Sequence, residues 1–198
     1  YLKFNVNIKG SLNKNRFANG GAIWAASTYN PTLPVHSGND AFGGYTEAID
    51  NTGTPVTRGV RNPLGLLRQY KSTSDIKRVI GNADVDYKLH FLPELKFHAT
   101  VGYDYAEGKG KIYVPEEAAE YATTGGRDFT YGPQINTNRL LTTYLNYNKT
   151  FGEFTVDATA GYDYQAWKSS SEKYSELNVA GIEQKSIAAS DQRHVLLS

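Results

Sequence analysis

The sequence contains no cysteine and no methionine. Without cysteine there is no disulfide, iron–sulfur centre or thiol chemistry. No run of about 18 apolar residues occurs, which excludes a transmembrane helix but not a barrel strand, whose lipid-facing residues recur only at every second position. Charge of neither sign dominates: 21 Lys and Arg face 20 Asp and Glu, for a net charge of +1. Nothing in that balance favours nucleic-acid binding. A signal-peptide pattern is also missing. The chain begins at Tyr1 inside an alternating pattern and stops at Leu196, Leu197 and Ser198 without a turn signal, so an internal piece of a longer protein is expected.

What the chain does have is aromatic residues: 15 Tyr, 8 Phe and 2 Trp. Tyrosine joins an apolar ring to a polar tip and suits sheets and polar–apolar boundaries. Period-two alternation predicts strands over residues 1–9, 79–91, 95–105, 140–149 and 154–166. In the first, Leu2, Phe4, Val6 and Ile8 share a face opposite Lys3, Asn5, Asn7 and Lys9. In the second, Val79, Ala83, Val85, Tyr87 and Leu89 oppose Asn82, Asp84, Asp86, Lys88 and His90. Several of these runs reach about 10 residues, long for a soluble sheet and sufficient to cross a bilayer at a tilt.

Long connections over 10–75, 106–138 and 167–194 alternate with short turns at Pro93 and Gly152. Short helices are expected around 22–29, 63–70 and 116–121, with Pro63 near a first helical turn. The asymmetry of long and short connections is that of outer-membrane barrels, whose external loops are long and periplasmic turns short. Two hairpins echo each other, each ending in Gly-Tyr-Asp-Tyr at 102–105 and 161–164. Tyr103, Tyr105, Tyr162 and Tyr164 are read as an interfacial girdle.

These hairpins resemble the SusC/RagA family of TonB-dependent outer-membrane transporters. The resemblance rests on Val79–Tyr105 with its Phe91-Leu92-Pro93-Glu94-Leu95 turn, on Asn30-Pro31-Thr32-Leu33-Pro34-Val35, on Asn62-Pro63-Leu64-Gly65-Leu66-Leu67, and on Tyr144–Gly152 with Ala160-Gly161-Tyr162. It implies an all-β fold, an antiparallel transmembrane β-barrel segment with long extracellular loops, part of a 22-stranded barrel closed by a plug. It further implies import of glycans or peptides across the outer membrane of a Gram-negative, Bacteroidetes-like bacterium. The implied partners are a SusD-like surface lipoprotein, outer-membrane lipid, the transported substrate, and a TonB complex reached through parts outside this chain. The alternative is a soluble β-rich carbohydrate-binding or surface-adhesion module, with the apolar face packed on a second sheet.

Among the loop aromatics, Trp24, Tyr45, Tyr131 and Trp167 are candidates for stacking on sugar rings, and equally for packing anchors. No nucleophile–base–acid set is evident, and an enzyme is not expected. His90 and His98 fall near one turn with Glu94 as a third potential ligand, but solvated polar-face residues explain them without a metal. His36 and His194 suggest no site. Calcium at Gly38-Asn39-Asp40 or Asp50-Asn51 is a weak reading beside ordinary loop solvation, and no cofactor is expected. With five strands, the chain alone is not expected to close: residues 1–9 and 154–166 would present unpaired edges.

Overall fold

The computed structural model describes all 198 residues. Eight strands form one sheet: β1 (Leu2–Phe17), β2 (Lys71–Lys88), β3 (Leu95–Val114), β4 (Arg127–Phe151), β5 (Phe154–Ser171), β6 (Tyr174–Leu177), β7 (Glu183–Ile187) and β8 (Ser190–Leu197). The order is β1-β2-β3-β4-β5-β8, with β6 joining the far end of β4 and carrying β7 on its other side. Every pairing is antiparallel.

The expectation of a transmembrane β-barrel segment is corrected by this sheet. It is open, with β1 and β8 as its edges and no pairing between them. Alternation specifies that a strand has one apolar face; closure depends on strand number, tilt and stagger, which alternation does not encode. The strands also run much farther than the 9–11 residues of a membrane crossing: β4 has 25 residues and β3 has 20. No helix is long and apolar enough to cross a membrane.

The strands outrun the alternation because charged residues enter the apolar face in their upper arms. Lys77 lies opposite Glu107, and Asp75 opposite Lys109, on the face that carries Val79 and Tyr105 lower down. Backbone pairing continues there, so β1 extends to Phe17 and β2 begins at Lys71. Residues 116–121, expected as a short helix, form successive turns instead. The turns at Leu89–Glu94 and Gly152–Glu153 link neighbouring strands as the short connections.

Two helices stand in the long connection between β1 and β2. α1 (Gly21–Thr28) buries Ala22 and Ala25, one turn apart, and α2 (Pro63–Gln69) buries Gly65. α2 starts where Asn62 caps it: the Asn62 side chain accepts from the Leu64 and Gly65 N–H groups, and Pro63 occupies the first turn.

Only 12 of 198 residues are buried, and they cluster where this connection meets the turn after β3, around Val114, Ala118 and Ala119. The packed centre of the molecule is therefore in the connections and not on the sheet. On the sheet, Leu2, Phe4, Val6 and Ile8 with Val79, Val101 and Leu145 form an exposed apolar face, and no second sheet covers it.

A polar network holds the connection. Asn62 Nδ2 donates to the Val35 carbonyl at 2.8 Å, to the Thr46 carbonyl at 3.2 Å and to the Tyr29 hydroxyl at 3.3 Å. Glu47 Oε1 accepts from the Asn62 N–H at 2.9 Å, while Oε2 has no hydrogen bond and faces Arg61 Nη1 at 3.9 Å. Burial raises the Glu47 carboxyl above its ordinary value of 4.5; the Asn62 N–H and Arg61 offset this only in part. A carboxyl raised in the folded state contributes stability below its ordinary range and loses it as pH rises through the folded value. The connection should therefore be less resistant to urea at pH 7 than at pH 5. Glu47→Gln should flatten that dependence, as read by urea midpoints at the two pH values. An unchanged slope would exclude Glu47 as its source.

Candidate functional site

The polar face of the sheet is assembled by register. Directly opposed residues in antiparallel strands point to the same side, and one row crosses six strands: Lys9, Ile80, Asp104, Asn138, Trp167 and His194. The next row is Ser11, Arg78, Ala106, Asn136, Ser169 and Gln192. Small side chains at Ala106 and Ser169 sit between larger ones, and a groove of about 480 Å³ opens there. Trp167, Arg78, Asp104, Asn136, Asn138 and Gln192 are among its lining residues.

The charged members are fixed in place. Arg78 Nε donates to Asp104 Oδ1 at 2.9 Å and Nη2 to Oδ2 at 2.6 Å, a two-pronged pair on the diagonal between β2 and β3. Hydrogen bonding to Arg78 holds the Asp104 carboxyl below the usual carboxylate range and raises the guanidinium. Asp104 is thus an ionised acceptor, unsuited to donating a proton. Asn138 Oδ1 accepts weakly from Gln165 at 3.4 Å. The result is an indole beside a fixed ion pair, several amides and the His194 ring. Such a surface can hold a polyhydroxylated ligand: the amides and carboxylate bond adjacent hydroxyls, and the indole covers an apolar C–H face.

The four candidate aromatics do not converge. Trp24 stands on α1 and is 64% exposed. Tyr45 packs on Gly65 and lies 5.6 Å, centroid to centroid, from His36, so it is part of the connection's packing. Tyr131 lies over Gly110 on the neighbouring strand, tilted against Phe129. Trp167 alone of the four lines the groove. Arg78, Asn136 and Asn138 were not singled out from sequence, since they fall outside the clearly alternating runs. Extending the parity of Asp84 and Asp86 backward along β2 would have placed Arg78 on the polar face.

The residues weighed for metal binding each have other partners. His90 Nδ1 meets the Tyr87 hydroxyl at 2.9 Å, His98 Nδ1 meets Asp86 Oδ1 at 2.6 Å, and Glu94 pairs with Lys149 at 2.9 Å. Asp50 Oδ1 accepts from the N–H groups of Thr52 and Thr54, and Asn39 Oδ1 accepts from Ala41 N–H, so both weak calcium positions close their own turns. No group of three His, Cys, Asp or Glu side chains is placed to hold a metal ion.

No known family profile matches the chain. Two proteins are similar to it. The TonB-dependent receptor SusC of Bacteroides thetaiotaomicron is 35% identical over 83% of this chain. The TonB-dependent receptor P3 of Formosa agariphila is 28% identical over 74%. The chain spans only 18% and 13% of their respective lengths.

The chain is thus homologous to TonB-dependent receptors. Within that class its homology is to the SusC family, and it matches a fraction of the full-length proteins, as an internal piece would. Homology to this class associates the chain in general terms with the outer membrane. The expected function, a membrane-embedded transporter segment importing glycans or peptides, is corrected by the same finding as the fold. That role required a strand set closed around a lumen, and this sheet is open.

Proposed function

We propose that this chain is a non-catalytic, β-rich carbohydrate-binding module acting at the outer membrane of a Gram-negative bacterium. The observation that carries the reading is the groove in which Trp167 stands beside the Arg78–Asp104 pair and the amides of Asn136, Asn138 and Gln192. Its volume of about 480 Å³ lies within the range of ordinary ligand sites. A SusD-like surface lipoprotein and, through segments outside this sheet, a TonB complex are the proposed protein partners. Trp24, exposed on α1, is a proposed secondary contact for an extended glycan.

A panel of neutral α- and β-linked hexose oligosaccharides, titrated into the purified chain and followed by isothermal titration calorimetry, tests the reading. One linkage class should give a saturable change. Trp167→Ala should weaken binding at least tenfold, for loss of stacking and apolar contact on the order of 1–3 kcal/mol. Asn138→Ala should weaken it several-fold without altering the thermal midpoint. Binding of no saccharide, of peptides alone, or binding indifferent to Trp167 would reject the assignment.

A further inference from the structure

A second cavity, about 600 Å³, opens on the polar face toward the short turns. It is separate from the Trp167 groove: Lys96 and Asp104 are eight residues apart on β3, or roughly 26 Å along an extended strand. Its lining includes Lys3, Lys88, Lys96, Asp86, His98 and Tyr144.

Register makes the cavity basic. Lys88 on β2 is directly opposite Lys96 on β3. Lys3 on β1 stands in the adjoining row, opposite Asp86. Like charges directly opposed across an antiparallel pair repel and destabilise it. None of the three lysines belongs to an ion pair. The one carboxylate of the lining, Asp86, is engaged at 2.6 Å by His98 Nδ1. The His98 ring is itself stacked on Tyr144, with centroids 4.6 Å apart. The nearest other carboxylates are also occupied: Glu94 by Lys149, and Asp157 by the amides of Asn146 and Asn148. Three lysines outside any ion pair therefore line a cavity whose one carboxylate, Asp86, is already held by His98.

We propose that this cavity binds a tetrahedral oxyanion, a phosphate or sulfate group, held between Lys88 and Lys96 with Lys3 closing one side. Such an anion relieves the cross-strand repulsion that the bare pair carries, and each of the three ammonium groups can donate charge-assisted hydrogen bonds to its oxygens. The same chemistry is presented by free inorganic anion and by a sulfate ester on a saccharide. The site stands independently of the Trp167 groove, and its test uses different ligands and different residues.

The purified chain is titrated with inorganic phosphate, inorganic sulfate and glucose 6-sulfate, with sodium chloride at matched ionic strength as reference. Saturable binding of an oxyanion, with a rise in thermal midpoint that chloride does not give, is expected. Tighter binding of glucose 6-sulfate than of inorganic sulfate identifies a sulfated sugar as the source; equal affinity identifies the free anion. Lys88→Gln/Lys96→Gln should lose at least tenfold in affinity and, in oxyanion-free buffer, should unfold at a higher temperature than the unaltered chain. Shifts of the Lys88 and Lys96 side-chain NMR signals on phosphate addition read the same contact without any substitution. Stabilisation that follows ionic strength alone, signals that do not move, or binding that survives in the double variant overturns the proposal.

Discussion

Replacing Asn62 with alanine is expected to lower the stability of the connection between β1 and β2 by about 2–4 kcal/mol, a large effect for one polar residue. Asn62 is fully buried, with no exposed surface. Its carbonyl oxygen caps α2 through Leu64 and Gly65, and its amide donates to Val35, Thr46 and Tyr29. Losing the cap alone costs about 1 kcal/mol; the remainder comes from the cavity left at a fully buried side chain and from the lost amide donor, which leaves the Val35 carbonyl with the Thr46 N–H alone and the Thr46 carbonyl with the Tyr29 hydroxyl alone. Asn62→Asp separates the two contributions. It keeps the cap acceptor but turns a second oxygen toward the Val35 and Thr46 carbonyls, so it should be at least as damaging as alanine. Hydrogen exchange at Leu64 and Gly65 reports the opening directly. Restoration of wild-type protection by aspartate would show that capping was the whole effect.

Gly126→Ala should cost a similar ~2–4 kcal/mol, by backbone strain combined with steric conflict. Gly126 has φ +77°, and an added Cβ would lie 2.7 Å from the Val114 carbonyl oxygen, 2.8 Å from the Glu116 nitrogen and 2.6 Å from Val179 Cγ2. Two of those neighbours are backbone and cannot swing aside. The turn they belong to ties the β3–β4 connection to residues 178–182: Val179 N–H donates to the Gly125 carbonyl at 3.0 Å, and Asn178 Nδ2 to the Thr124 carbonyl at 3.2 Å. Gly53→Ala is the control. Gly53 has φ +82° but nothing within 4 Å of an added Cβ, so only the strain of about 1–2 kcal/mol remains. Chemical denaturation of the two variants side by side measures the difference. Equal losses would mean that the crowding at Gly126 relaxes freely.

The pairing of β2 with β3 and of β4 with β5 was legible because the alternation there is nearly unbroken and the turns at Pro93 and Gly152 are short. One polar-face partner, Asp104, was legible for the same reason. Arg78, Asn136 and Asn138 were not, because each lies where apolar residues such as Ile76, Ile80 and Leu140 interrupt the polar parity. There the backbone ladder from neighbouring strands, and not side-chain pattern, keeps the chain extended. Trp167 was noticed as an aromatic of a connection; the structure makes it a strand residue with Asn138 on one side and His194 on the other.

By itself the sequence determined the strand faces, the short turns, the absence of thiol chemistry and a homology to SusC-type receptors, since all of these depend on neighbours in the chain or on residue identity. The open edge at β1 was already expected from the strand count; the pairing of β5 with β8, which moves the other edge from residues 154–166 to β8, the opposition of Lys88 to Lys96 and the assembly of the Trp167 groove were decided only by the tertiary structure. Each depends on register between segments tens of residues apart, and a slip of one residue would turn every one of those side chains to the other face.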